Sequence, residues 1–419
     1  MALGIALSGL NAASKQMDVI GNNIANVNST GFKQSRAEFA DVFASAQFTS
    51  GQAIGSGVRL ASVNQNFTQG TVEFTGNALD VAINGDGFFV MSDGGTQTYT
   101  RNGQFHVDKD GFIVNSQGLL VQGFGADSSG AITGAITDMT VPTGDNQPSA
   151  STEVKMGLNL NAQDTTPASS PFDPLDPDTY TRATSLTVYD SLGASHVATT
   201  YYVKTATANE WKMHFALDGN EIDMDSADSD GDGDTAGRLL VFDGSGAITT
   251  PATPYLITAA TIPTGTLGSG ASALDLNFDV GSLTQYGSPF SVDELSQDGF
   301  TTGRLTSVDI SSEGVLFARY DNGQSTSVGQ IALANFSNVQ GLSQLGDTTW
   351  AETFESGAAL VGTPGSSSMG QLQGGGLENA NVDLTEMLVK LITAQRNFQA
   401  NAKTIETESA ITQTIINLR

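Results

Sequence analysis

The sequence predicts a mainly β protein with long terminal α-helices: the helices pair, an inner β-domain lies between them, and an outer β-domain is inserted into the inner one. Three observations predict it. Near both ends of the 419-residue chain, apolar or small residues recur at alternating spacings of four and three, the seam of helices packed along a narrow stripe. Between these ends, short β-branched and aromatic runs alternate with Gly, Asn and Asp turn signals. A Pro-, Ser-, Thr- and Asp-rich stretch at 142–180 then divides the β-rich middle.

The first helix is expected over residues 1–24, its stripe formed by Leu3, Leu7, Leu10, Ser14, Met17, Gly21 and Ile24. Asn28-Ser29-Thr30-Gly31 breaks it. Residues 32–70 turn Gly-, Ser- and Gln-rich and read as an irregular connector. From about residue 71 the strands crowd. Phe88-Phe89-Val90-Met91 is a buried-strand run, and Asn102-Gly103 and Asp110-Gly111 mark turns in a meander that continues through Phe112-Ile113-Val114 and Leu119-Leu120-Val121. A second block holds strands at Leu186–Tyr189, Val197–Val203, Trp211–Leu217 and Leu239–Phe242, with a closing strand at Leu274–Val280. A third holds Leu305–Ile310, Val315–Tyr320 and Ile331–Phe336. Ser366–Gly376 reads as a flexible segment. The last helix begins near residue 381, and its stripe runs through Leu384, Leu388, Leu391, Gln395, Phe398, Ala402, Ile405, Ser409, Thr412 and Ile416. The expected domains are therefore 1–31 with 377–419 (helical), 32–70 with 361–376 (connectors), 71–145 with 285–360 (inner β), and 146–284 (outer β, inserted).

The formal net charge of −27 argues against nucleic acid and anionic membrane as partners, since both are polyanions. Residues 145–285 carry 19 acidic and 5 basic side chains, about half of that charge. With no cysteine, the chain has no disulfide, thiolate metal site or Cys nucleophile. No run approaches the ~20 apolar residues that span a bilayer, so no membrane insertion is expected. No basic segment precedes a dense apolar core at the N-terminus, so a cleaved secretory signal is not expected either.

No catalytic constellation is visible, and the chain is read as a non-enzyme without a cofactor. His106 alternates with Phe105 and Val107 as the solvent-facing member of a strand, His196 falls in an apparent turn, and His214 lies in an alternating strand. No nucleophile elbow or phosphate loop occurs. Asp228, Asp230, Asp232 and Asp234 with Gly231 and Gly233 match the first half of a calcium-binding loop, but the twelfth position is Leu239 where a bidentate Glu belongs. A solvated acidic loop is the favoured reading. The six or so heptads at the C-terminus exceed an ordinary globular helix. Their small and polar seam positions suit helices shared among many subunits, so self-association is expected.

Three segments carry a resemblance. Ile20-Gly21-Asn22-Asn23-Ile24-Ala25-Asn26-Val27-Asn28-Ser29-Thr30-Gly31-Phe32-Lys33 closely resembles the N-terminal motif of bacterial flagellar rod and hook proteins. Tyr99-Thr100-Arg101-Asn102-Gly103-Gln104-Phe105, Asp108 to Gly111 and Gly118 to Gly123 are similar to their β-domain signature, and Leu377 to Leu384 with Ala394 to Asn401 to their C-terminal helix motif. Residues 146–284 carry no assignable motif. The large insertion places the resemblance on the hook branch rather than among the shorter rod proteins. It implies a helical homopolymer, a flexible tubular universal joint that transmits torque from rod to filament. It also implies export by the flagellar type III apparatus to a place outside the cell. The implied partners are the rod, hook cap, hook-length control and hook–filament junction proteins. The stripes Leu3, Leu7, Leu10, Met17, Ile24 and Leu384, Leu388, Leu391, Phe398, Ile405, Ile416 would carry subunit packing, and Asn22, Asn23, Asn26, Asn28, Thr30, Gly31 and Phe32 are the matching motif positions. A distal-rod subunit is the nearest alternative, and a secreted calcium-binding adhesin is one from another class.

Overall fold

A computed structural model describes residues 2–42, 55–127, 130–224, 236–252, 256–259, 262–268, 270–366 and 368–417. The chain divides into two compact units. The first comprises Met1–Thr143, Thr306–Arg319 and Ser325–Arg419, and the second Gly144–Leu305 and Tyr320–Gln324. The chain thus returns from the second unit near residue 305 rather than at 285. The difference has a pairing cause: Thr284–Tyr286 and Ser291–Gln297 both hydrogen-bond to Glu153–Asn161, the first parallel and the second antiparallel.

In the first unit the N-terminal helix spans Ala2–Ala25 and the C-terminal helix Leu384–Asn417. The latter starts where Asp383 Oδ1 accepts from the amides of Thr385 (2.8 Å) and Glu386 (3.0 Å), satisfying two of the four free donors of the first turn. Asn26 ends the N-terminal helix. Its carbonyl accepts from the Ser29 amide and its side-chain oxygen from the Ser29 hydroxyl, a local geometry that competes with further helix.

The stretch read as an irregular connector contains an antiparallel hairpin, Ser35–Asp41 against Val58–Gln65, with a bulge at Glu38/Phe39. Val58–Gln65 does alternate, with Val58, Leu60 and Ser62 turned inward and Arg59, Ala61 and Val63 outward. Small residues blunt that period in the sequence. Part of the segment read as flexible also forms strands. Gln371–Gly374 pairs with Val81–Asn84, and Gly376–Glu378 with Val72–Phe74. Leu372 and Leu377 are buried there, an alternation hidden among glycines.

Among the described residues, thirteen strands of this unit form one sheet, with Leu120–Ala126, Phe88–Asp93 and Thr96–Thr100 at its centre. Its core is aromatic. Phe67, Phe88, Tyr99, Phe336 and Trp350 meet edge to face with ring centroids 4.8 to 5.9 Å apart, each pair adding about 0.5–1.5 kcal/mol to its area burial. The Trp350 indole donates to Gln65 Oε1 at 2.7 Å, which ties the hairpin to this core.

Among the described residues of the second unit, a six-stranded antiparallel sheet (Arg182–Tyr189 to Ile248–Thr250) and a five-stranded mixed sheet built around Glu153–Asn161 share one core. Trp211, Tyr202, Met213 and Phe215 come from the first, and Met156, Leu158, Leu160 and Phe278 from the second strand set. His196 is not in a turn. It lies in the strand Ser195–Lys204, buried, with Asp218 Oδ2 2.7 Å from Nδ1 and Asp190 Oδ2 3.5 Å from Nε2. Two flanking carboxylates make the buried site habitable for a polar ring that the sequence reading places in a turn.

Asp298 closes this unit's ends, accepting from the amides of Thr152 (2.7 Å) and Glu153 (3.0 Å) and from the Thr152 hydroxyl. Burial works to raise its carboxyl, but these donors outweigh it and hold the group below the usual carboxylate range. A depressed folded-state pKa contributes stability that is present above the unfolded value of about 3.9 and is lost as pH falls through the folded one. Asp298→Asn is therefore expected to lower the unit's melting temperature by about 2 °C at pH 7. Calorimetry of the full chain should show that gap closing as pH falls through and below the range of a free carboxyl. A gap independent of pH would contradict the assignment.

Candidate assembly surface and motif junction

The two terminal helices run antiparallel. The Asn23 amide reaches Met387 Sδ at 3.9 Å near one end, and a Cβ at Gly9 would lie 2.7 Å from Asn401 Oδ1 near the other. Their seam is small around Ala6, Gly9 and Ala13 and larger at the other end, where Ile20 and Met387 share a cluster. Ala6, Ala13 and Ile20 on one helix and Met387 and Ala394 on the other are buried, so the backbones approach closely along the first helix's i, i+7 row.

This seam is not the apolar stripe that the spacing picks out. Leu3 and Leu7 remain 50% and 51% exposed, and Leu384, Leu388 and Ile416 are exposed as well. Leu10 and Ile405 are half-buried. Met17, Ile24 and Leu391 are half-buried against the Ile20/Phe32/Met387 cluster, and Phe398 is half-buried. Val389, Ile392 and Ile411 add to the uncovered apolar surface. The helix pair is thus closed on one row by alanine and glycine and left open on others by leucine and isoleucine. Exposed leucine and isoleucine side chains towards both ends of the pair leave apolar surface for a further partner to cover.

At the inner end of the pair the three motif segments converge on a buried ionic group. Lys33, Arg101 and Glu378 are 1%, 3% and 0% exposed. Lys33 Nζ donates to Glu378 Oε1 at 2.7 Å and to the Thr68 carbonyl at 2.8 Å. Arg101 donates to Glu378 Oε2 at 3.2 Å, and the Gly70 amide to Oε1 at 2.8 Å. Burial pushes the Lys33 ammonium and the Arg101 guanidinium down, and Glu378 opposes the fall in both. Arg101 Nε has no hydrogen-bond partner among the described residues, but the guanidinium stands 5.3 Å from the Phe88 ring centroid.

The other motif residues hold the backbone around this group. Gly31 has φ +70, and a Cβ there would lie 2.6 Å from the Asn102 amide nitrogen. Both facts require glycine. Its amide donates to the Glu378 carbonyl at 2.8 Å. Asn23 pairs with both backbone groups of Ser35, accepting its amide at 2.9 Å and donating to its carbonyl at 2.8 Å. Asn381 accepts from the Gln34 amide and donates to the Asn66 and Thr68 carbonyls. Phe32 is buried beside Ile20, Ala380 and Val382. Asn26 and Thr30 are half-buried in the turn, while Asn22 and Asn28 are exposed.

Lys33, Arg101, Glu378 and Asn381 lie inside the quoted motifs but were not singled out. The available signal was a lone cation in each of the segments Ile20–Lys33 and Tyr99–Phe105, and a carboxylate next to the start of the C-terminal motif. The acidic loop of Asp228, Asp230, Asp232 and Asp234 lies outside the described residues. Among the described residues no group of three or more His, Asp or Glu could hold a metal ion, and no helix is long and apolar enough to cross a membrane.

Comparison with known families covers most of the chain. Residues 3–33 match "Flagella basal body rod protein", 82–157 the "Flagellar hook protein FlgE/F/G D1 domain", and 373–418 the "Flagellar basal body rod FlgEFG protein C-terminal". Residues 159–300, where the sequence offered no motif, match the "Flagellar basal body protein FlaE D2 domain". The chain is 40% identical to the flagellar hook protein FlgE of Salmonella typhimurium, with 100% of both chains covered. It is 39% identical to that of Escherichia coli, again over 100% of both, and 32% identical to that of Treponema pallidum over 99% and 98%. The crystal structure of the Helicobacter pylori flagellar hook protein FlgE2 shares the fold, with a TM-score of 0.51 and 14% identity over 72% of this chain and 99% of that one. Full-length identity at this level, together with matches to rod and hook families from end to end, establishes that the chain belongs to the flagellar hook protein FlgE family.

Proposed function

We propose that this chain is the repeating structural subunit of the flagellar hook, a tube that bends while it transmits torque from rod to filament. The observation that supports this best is the apolar surface left open on the helix pair. A helix hydrophobic beyond its own seam needs a further partner, and neighbouring copies supply one in a homopolymer. The stripe Leu3, Leu7, Leu10, Met17, Ile24 and the stripe Leu384, Leu388, Leu391, Phe398, Ile405, Ile416 pack between copies to build the inner wall. The β-units lie outward, and their polar, acidic surfaces make contacts that exchange as the joint turns.

In this reading the chain crosses the membrane through the flagellar type III apparatus and polymerises outside the cell. The rod lies below it, the cap protein at its growing tip, the length-control protein acts during growth, and the junction proteins follow above. Deleting the gene tests the assignment by electron microscopy of basal bodies. Complete rods without hooks, restored by complementation, are expected. Truncated rods would move the chain into the rod, and normal motile flagella would refute the proposal.

A further inference from the structure

We propose that His196 is a proton-operated latch of the second unit. Its ring, protonated on both nitrogens, ties two turns together, and loss of one proton releases the turn that braces the segments by which the chain enters and leaves the unit. The latch is built within one copy and stands whether or not copies assemble.

The ring is buried between two carboxylates that come from different turns. Asp218, in the turn between Glu210–Leu217 and Asn220–Ile222, places Oδ2 2.7 Å from Nδ1. Asp190, in the turn between Arg182–Tyr189 and Ser195–Lys204, is wholly buried and places Oδ2 3.5 Å from Nε2. Backbone donors fix both carboxylates in place. Asp190 Oδ1 accepts from the amides of Leu192 and Ala194, at 2.9 and 2.8 Å, and Asp218 Oδ1 from that of Val197 at 2.8 Å. An ionised carboxylate only accepts, whereas a neutral imidazole carries one donor and one acceptor. With its proton on Nδ1, a neutral ring would aim the Nε2 lone pair at the Asp190 carboxylate in a buried space. Only the imidazolium meets both carboxylates with a donor.

The Asp190 turn sits where its release matters. The Asp190 amide donates to the Ala194 carbonyl and the Gly193 amide to the Asp190 carbonyl, both at 3.0 Å. Gly193 has φ +81, and a Cβ there would lie 2.8 Å from Pro148 Cβ and 3.3 Å from Thr301 Cα. Pro148 and Thr301 belong to the two segments that begin and end the unit, which are bridged at Asn146/Gly303 and Ser149/Phe300. The turn therefore packs directly on the root of the unit. The other charged groups on the surrounding segments point elsewhere. Glu221, on the strand after Asp218, meets His214 Nδ1 at 3.1 Å, and among the described residues Asp190 and Asp218 are the ones that pair with the ring, not Asp145, Asp275, Asp298, Arg304 or Asp321. Burial works to raise the Asp218 carboxyl, but the hydrogen bonds from the ring and the Val197 amide outweigh it and hold the group below the usual carboxylate range. Asp218 thus stays an anion where imidazoles titrate, and the ring is the group that changes. Stabilisation that needs the charged ring is present at lower pH and is lost as pH rises.

Hydrogen exchange of the purified full chain, read by mass spectrometry over residues 190–197 and corrected for the intrinsic pH dependence of exchange, measures the opening of the latch. The amides of Leu192, Ala194 and Val197 are expected to exchange about tenfold faster at about pH 9 than at about pH 5, a range that spans imidazole titration. The strand Phe88–Asp93 of the first unit serves as the reference and should not change. In Asp190→Asn the side-chain oxygen can still take the Leu192 and Ala194 amides, while its new amide group can donate to a neutral ring. That variant is expected to keep its protection across the whole range, a result that a purely structural role for the ring does not produce. His196→Gln cannot titrate and should lose the pH response; if it fails to fold, wild type against Asp190→Asn carries the test. Equal protection at both ends of the range in wild type, or a wild-type pH response in Asp190→Asn, would overturn the latch. Neither result bears on the hook assignment, which the gene deletion tests separately.

Discussion

Replacing Glu378 with alanine is expected to destabilise the first unit by about 3–5 kcal/mol, the cost of removing one member of a buried ionic group and leaving the others charged and uncompensated. Glu378 pairs with both Lys33 and Arg101, at 2.7 and 3.2 Å, and its Oε1 also takes the Gly70 amide. Its loss strands two cations and one backbone donor at once. Glu378→Gln keeps the shape and one acceptor but not the charge, and should fall between alanine and wild type. The informative partner is the triple variant Lys33→Met, Arg101→Met, Glu378→Leu. Apolar replacement of a whole buried ionic group is often neutral or stabilising, so this variant should recover most of the stability lost by alanine. Urea denaturation of the purified chain measures all three. A loss below about 1 kcal/mol for Glu378→Ala would place it with exposed pairs and show that the group is not closed in solution.

What such a triple variant should still disturb is geometry. Lys33 ends the N-terminal motif, Arg101 belongs to the β-domain signature, and Glu378 is the second residue of the C-terminal motif. One carboxylate therefore fixes where the helical ends leave the sheet. A buried ionic group of this kind fits a role in setting register. Hook shape, rather than monomer stability, is where the triple variant should differ from wild type.

Legibility in the sequence followed the strength of local periodicity. Both helices were readable to within a few residues because the four-three spacing is sustained over many turns, and Phe88–Asp93 and Glu210–Leu217 were readable because aromatic and β-branched residues crowd there. The hairpin at Ser35–Asp41 and Val58–Gln65 was not, since alanine and serine take the alternate positions. Nor were the strands at Gln371–Gly374 and Gly376–Glu378, whose partners lie some 290 or more residues away in sequence. For the assembly surface, spacing found the apolar stripe but could not tell which row the chain closes on itself. That choice is made by Ala6, Gly9 and Ala13, residues that carry almost no hydrophobic signal and win because they let two backbones approach. The ionic group escaped because pairing between three distant motifs has no local period at all.

The division between a closed small-residue row and an open leucine row leads to the other large effect. Leu7→Glu and Leu388→Glu should leave the stability of the isolated chain within about 0.5 kcal/mol, because both side chains are on the surface and neither belongs to the buried core. In the polymer each leucine buried between copies contributes about 1.5–3 kcal/mol, and an unpaired carboxylate taken into that contact costs more still. The loss recurs at every copy, so a monomer-neutral change becomes an assembly failure. Cells carrying either variant are expected to be non-motile and to yield no sheared hooks, while the purified chain unfolds at the wild-type urea concentration. Leu7→Met, which keeps volume and apolarity, should restore hooks. If Leu7→Glu assembles normally, the stripe faces solvent in the tube as it does in the single chain. The helix rows that join copies would then have to be sought around Val389, Ile392 and Ile411, the remaining exposed apolar positions of the C-terminal helix.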